Sequence, residues 1–136
     1  MIHEAICTYE VCKLAKEKGF DVPTDRYYHI YDDVIEAQNS LEMTSDGCAD
    51  FYNSLNRCRC AAPTQSLLQR WLREERGIIV EVFVDDDSNM PLTYNIHQYK
   101  DWNWECVCHH HGNYYAVNDW ELCLEDGLKY ALENLV

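Results

Sequence analysis

Positive charge is what this chain has least of: 11 Lys and Arg stand against 24 Asp and Glu, a net charge of −13 over 136 residues. A field of that sign repels phosphate backbones, so direct nucleic-acid binding loses most of its appeal, while basic partners, nucleic-acid-binding proteins among them, gain it. Long apolar runs are missing too, none reaching the ~18–20 residues of a membrane-spanning helix. The opening M-I-H-E-A-I-C-T lacks the basic-then-apolar pattern of a secretion signal, so a cytoplasmic location and no membrane partner are expected. Internal repeats, linkers and low-complexity tracts are absent. So are G-x-S-x-G, P-loop, G-x-G-x-x-G and H-E-x-x-H, the compact signatures of common chemistries. The expectation is a protein that is not an enzyme.

What is present suffices for one core. Apolar residue types make up 47% of the sequence and charged ones 26%, ordinary for a soluble globular chain of one-domain length. The eight cysteines are read as reduced. No secretion signal accompanies them, and several fall at apolar-phase positions, where a thiol behaves as a small hydrophobe.

Periodicity then places the elements. Thr8–Lys18 reads as a helix with Thr8 as N-cap, Val11, Leu14 and Ala15 as its buried stripe, and Gly19 as the left-handed stop, over which Phe20 folds back. Residues 21–61 are polar and aperiodic: Y-Y-H-I-Y at 27–31 suits a short strand, and helical turns are expected around Val34–Leu41 and Phe51–Leu55. A second helix starts at Ala62–Thr64, carries Leu67, Leu68, Trp71 and Leu72 at helical spacing, and stops at Gly77. I-I-V-E-V-F-V at 78–84 and L-T-Y-N-I-H-Q-Y at 92–99 form an antiparallel hairpin. W-N-W-E-C-V-C at 102–108 and N-Y-Y-A-V at 113–117 read as another, with H-H-H-G as its turn. The last helix is expected to open with Asn118 and Glu121 as a capping box. Gly127 inside it costs about 1 kcal/mol of helix propensity, which implies close approach to a neighbouring element. The expected fold is one α+β domain over 1–136, helices on one small antiparallel sheet, in the order α–irregular–α–β–β–β–β–α.

Three features invite a functional reading. The first is E-C-V-C-H-H-H-G at 105–112: a strand period of two puts Cys106 and Cys108 on one face. With Cys58 and Cys60 they form two C-x-C pairs, so Cys58, Cys60, Cys106, Cys108, His109 and His111 are the candidate ligands of a zinc site. Neither pair has the two-to-four-residue spacing of a zinc knuckle, and the favoured reading is core cysteines and a solvated turn, with no cofactor. A zinc-binding or thiol-redox protein is the alternative, and a small Cys/His hydrolase ranks below it. The second, D-D-D-S-N at 85–89, fits positions 1, 3 and 5 of a calcium loop, but Met90 replaces its glycine and Ile96 its glutamate. The third is aromatic: ten Tyr and four Trp, clustered enough to mark Tyr27, Tyr28, Tyr31, Trp102 and Trp104 as a candidate interaction surface. The helix–strands–helix order of 64–135 matches a double-stranded-RNA-binding module. That module needs a basic start to its last helix, and here the start reads N-D-W-E-L-C-L-E-D.

The segment A-P-T-Q-S-L-L-Q-R-W-L-R-E at 62–74 resembles the signature of a family of small proteins from gut Bacteroidetes, their phages and related mobile elements. L-A-K-E-K-G-F at 14–20 and E-L-C-L-E-D-G-L-K-Y-A-L at 121–132 extend the resemblance over most of the chain apart from 21–61. The C-x-C and H-H-H stretches lie outside that pattern. The resemblance implies a setting, in which the partner is a host or defence protein, and assigns no activity.

Overall fold

The computed structural model describes residues 2–30, 41–108 and 113–136. The protein is α+β. Among the described residues are three α-helices and two antiparallel three-stranded sheets, in a chain that divides into two compact units, Met1–Thr64 and Gln65–Val136. The strands are thus shared between two sheets, where the sequence suggested one.

In the first unit, helix α1 (Tyr9–Glu17) begins where the Thr8 hydroxyl accepts a hydrogen bond from Val11 N–H. It ends in a Schellman motif: Gly19 takes φ +94°, its N–H reaches Lys16 O, and Phe20 N–H reaches Ala15 O. That closure seats Phe20 in the core, because two of the orphan carbonyls of the last turn are satisfied by the residues that fold back. The segment expected to be partly irregular builds a sheet, in which the short strand expected from Y-Y-H-I-Y takes part. Strand β1 (Arg26–His29) lies between β2 (Leu41–Met43) and β3 (Arg59–Ala61), with a 3₁₀ turn over Asn53–Leu55. The three residues of β2 and of β3 show too few alternations for periodicity to reveal them. Asn53 is buried and joins three parts of the unit, its Nδ2 donating to Phe20 O and its Oδ1 accepting from Ala61 N–H. The helical turn expected around Val34–Leu41 falls outside the described residues except for Leu41, which opens β2.

In the second unit, α2 (Gln65–Arg76) buries Gln65, Leu68, Trp71 and Leu72. Gly77 (φ +63°) then turns the chain directly into β4 (Ile78–Val84), which pairs over its whole length with β5 (Leu92–Lys100). Strand β6 (Asn103–Cys108) pairs with the other side of β5. Helix α3 (Trp120–Asn134) packs on β4 and β5 through Cys123, Leu124, Leu128, Ala131 and Leu132. A Cβ on Gly127 would lie 2.6 Å from Val80 Cγ1 and 3.2 Å from Tyr94 Cγ, so the helix lies too close to the sheet here for any side chain.

Two expectations are corrected here. Residues 102–108 and 113–117 do not pair with each other: β6 pairs with β5, and Tyr115 makes a single bridge to Leu92 on that same edge of β5. The chain therefore resumes along one edge after Cys108, and no fourth strand forms among the described residues. Asn118 is not the cap of the last helix either. It lies in a 3₁₀ turn, Val117–Asp119, and α3 opens behind it without a side-chain cap hydrogen bond.

Candidate functional site

The β5–β6 hairpin is closed by two residues, Asp101 (φ +49°) and Trp102 (φ +69°). Two left-handed residues in succession give the turn twist that matches right-handed strands, and Asn-Gly or Asp-Gly ordinarily supply it. Here the second position is a tryptophan, a bulky residue for which positive φ is strained. Its side chain is 88% exposed, so burial does not explain its presence.

Next to it, Tyr99 and Trp104 face each other across the hairpin with ring centroids 5.3 Å apart. Tyr99 N–H bonds to Gly77 O, toward β4, which makes Tyr99–Trp104 a non-hydrogen-bonded pair on the β6 side and brings the two side chains close. Both remain half-exposed, at 43% and 48%. One step further, His97 stands opposite Cys106 and places Nε2 3.2 Å from Glu81 Oε2.

The register then slips. His97 pairs with Cys106, but Ile96 pairs with Cys108, leaving Val107 as the extra residue of a β-bulge. Because side chains alternate with period two, one inserted residue reverses the phase. Cys106 ends exposed and Cys108 buried, so the shared strand face expected for the two thiols is not formed. Burial, and then the neighbouring Cys106, push the Cys108 thiol upward, which keeps it in the unreactive protonated form.

The remaining sequence candidates separate in the same way. Cys58 is exposed, whereas Cys60 is buried in β3, where burial raises its pKa to about 11. His109 and His111 lie outside the described residues. Among the described residues, no group of three or more His, Cys, Asp or Glu side chains gathers as metal ligands would. The acidic tip closes on itself: Asp86 Oδ1 accepts from Ser88 N–H at 2.8 Å, and Asp85 Oδ2 accepts from the Tyr114 hydroxyl at 3.1 Å.

The tyrosine cluster of the first unit is engaged within that unit. Tyr27 stacks on Phe51 at 4.9 Å, carries the Arg59 guanidinium over its ring, and donates to Glu42. Partial burial, then the hydrogen bond to Glu42, raise its pKa, and hydrogen bonds from His29 and Tyr27 lower that of Glu42. Tyr28 donates to Cys7 O at 3.0 Å and meets Tyr9 edge-on. Tyr31 lies outside the described residues. The candidate surface therefore narrows to Trp102 and Trp104, joined by Tyr99, which sequence reasoning missed. Only the cross-strand register identifies Tyr99, and K-D-W-N contains no glycine to announce so tight a turn.

Among the described residues no helix is long and apolar enough to cross a membrane. Comparison with protein-family models, with curated proteins and with solved structures found no match.

Proposed function

We propose that this protein is a non-enzymatic, acidic interaction module of the bacterial cytoplasm that binds another protein through the aromatic end of the β5–β6 hairpin. The observation carrying this reading is Trp102, which is exposed and held in a backbone conformation that costs a non-glycine residue about 1–2 kcal/mol. Strain retained at an exposed aromatic finds its return outside the folded chain itself. Tyr99 and Trp104 flank it with amphipathic rings of the kind enriched at the centres of interfaces. The charge of −13 favours a basic partner, such as a nucleic-acid-binding protein whose surface it would occupy. The resemblance noted above supplies the setting, a host or defence protein met by a phage or mobile-element product.

The test compares wild type with a Trp102→Ala/Trp104→Ala variant in quantitative capture from bacterial lysate, with circular dichroism confirming that both fold. A partner held by wild type and lost from the variant supports the reading. Equal recovery with the two proteins, or no partner at low and moderate salt, overturns it.

A further inference from the structure

Strand β6 ends its sheet, whose order is β4–β5–β6. Asn103 to Cys106 are exposed, so nothing in the described chain covers this edge. The register determines which backbone groups face outward. Tyr99 N–H points to Gly77 on the β4 side, so Gln98 and Lys100 direct their backbone groups toward β6, to Glu105 and Asn103. By antiparallel alternation Trp104 and Cys106 then direct their N–H and C=O groups away from β5. An edge of this kind is a template for another strand, and proteins commonly blunt it with lysine, proline or an early bulge. Here no Lys or Pro lies in N-W-E-C-V-C, and the bulge comes only after Cys106. The open stretch also includes Trp104 of the Tyr99–Trp104 ring pair.

We propose that β6 accepts an extended, basic segment of the partner protein as a fourth strand, bonded to the backbone of Trp104 and Cys106. This rests on the interaction reading above and names its mode. Backbone pairing gives affinity that does not depend on the partner's sequence, and alternate side chains give the selectivity. A Lys or Arg on the face that carries Tyr99 and Trp104 lies beside that aromatic pair for a cation–π contact. A second copy of this chain is the poorer occupant, because two edges each belonging to a chain of charge −13 repel.

The probe is a blocked hexapeptide alternating threonine and lysine, titrated into the full-length ¹⁵N-labelled protein, beside the same peptide N-methylated at alternate amides. The expected result is amide shifts concentrated at Trp104–Cys106, with the N-methylated peptide about tenfold weaker or more, since it forfeits the strand's hydrogen bonds while keeping its charge. Cys106→Pro, which removes an outward N–H at an edge position that tolerates proline, is expected to weaken the unmodified peptide similarly. Equal binding of the two peptides overturns strand addition, as do shifts centred on the acidic tip Asp85–Asp87. Concentration-dependent dimerisation of wild type that Cys106→Pro abolishes also overturns it, by showing a second copy on the edge. If strand addition fails while Trp102→Ala/Trp104→Ala still loses the captured partner, the interaction reading stands without it.

Discussion

Gln65 Nε2 donates at 2.8 Å to both Glu121 O and Glu125 Oε2, binding the first residue of α2 to the first turns of α3. Glu125 is only 7% exposed, so this amide provides a buried carboxylate with a donor. The glutamine of A-P-T-Q thus serves helix–helix geometry. Replacing it by leucine is expected to cost about 1–3 kcal/mol, the penalty for removing a hydrogen bond from a buried polar group. Gln65→Glu, which sets a second carboxylate beside the first, is expected to be worse at pH 7. Denaturant titration of both variants checks this.

Gly127→Ala sets two effects against each other. Helix propensity favours alanine by about 1 kcal/mol, but the new methyl would meet Val80 Cγ1 at 2.6 Å, and overpacking typically costs about 1–3 kcal/mol. The clash is expected to win, because the β-branched Val80 has little rotameric freedom to yield. Adding Val80→Ala removes the offending carbon. A double-mutant cycle by thermal or urea unfolding should therefore show the two substitutions offsetting each other.

Trp102→Gly is expected to raise stability by about 1 kcal/mol, because glycine adopts φ +69° without the penalty tryptophan meets there. The same substitution is expected to reduce partner capture. A higher melting temperature joined to weaker capture would identify Trp102 as a residue kept for binding. A lower melting temperature would remove the argument from strain.

Alkaline pH should weaken the fold through its buried thiols. Burial raises Cys60 from an ordinary value of 9.0 to about 11, and Cys123 likewise. Above pH 9 the unfolded chain releases these protons and the folded chain keeps them, so unfolding is favoured. Their contribution is fully present below pH 9 and lost as pH rises to about 11. Urea midpoints measured from pH 8 to 11 should fall more steeply for wild type than for Cys60→Ala.

Thiol labelling offers a second reading of the same burial. Cys48, Cys58 and Cys106 are exposed, while Cys7, Cys12, Cys60, Cys108 and Cys123 are buried. Brief alkylation of the native protein at pH 8, followed by mass spectrometry, should modify the first three and spare the rest until denaturant is added. Rapid labelling of Cys108 would contradict the phase reversal placed at Val107.

Where caps and periodicity agreed over one stretch of chain, the sequence alone determined the outcome. Thr8, Gly19 and the stripe between them specify α1, since caps and periodicity act over a few residues. Ile78–Val84 announces itself by β-branched content, and the α+β class follows from the succession of such elements. Gly127, set among good helix formers, already implied a close neighbour. The tertiary structure decided what depends on pairing between distant segments. That three- and four-residue strands assemble around β1 rests on partners 13 to 34 residues away, a relation no local window contains. The place of E-C-V-C was decided similarly: one unpaired residue, Val107, sends Cys106 outward and Cys108 inward, and nothing in the order of the letters marks it. Trp102 and Trp104 were visible as aromatic letters, yet a strained turn and a free edge made them a surface, because exposure belongs to the folded chain and not to the residue type.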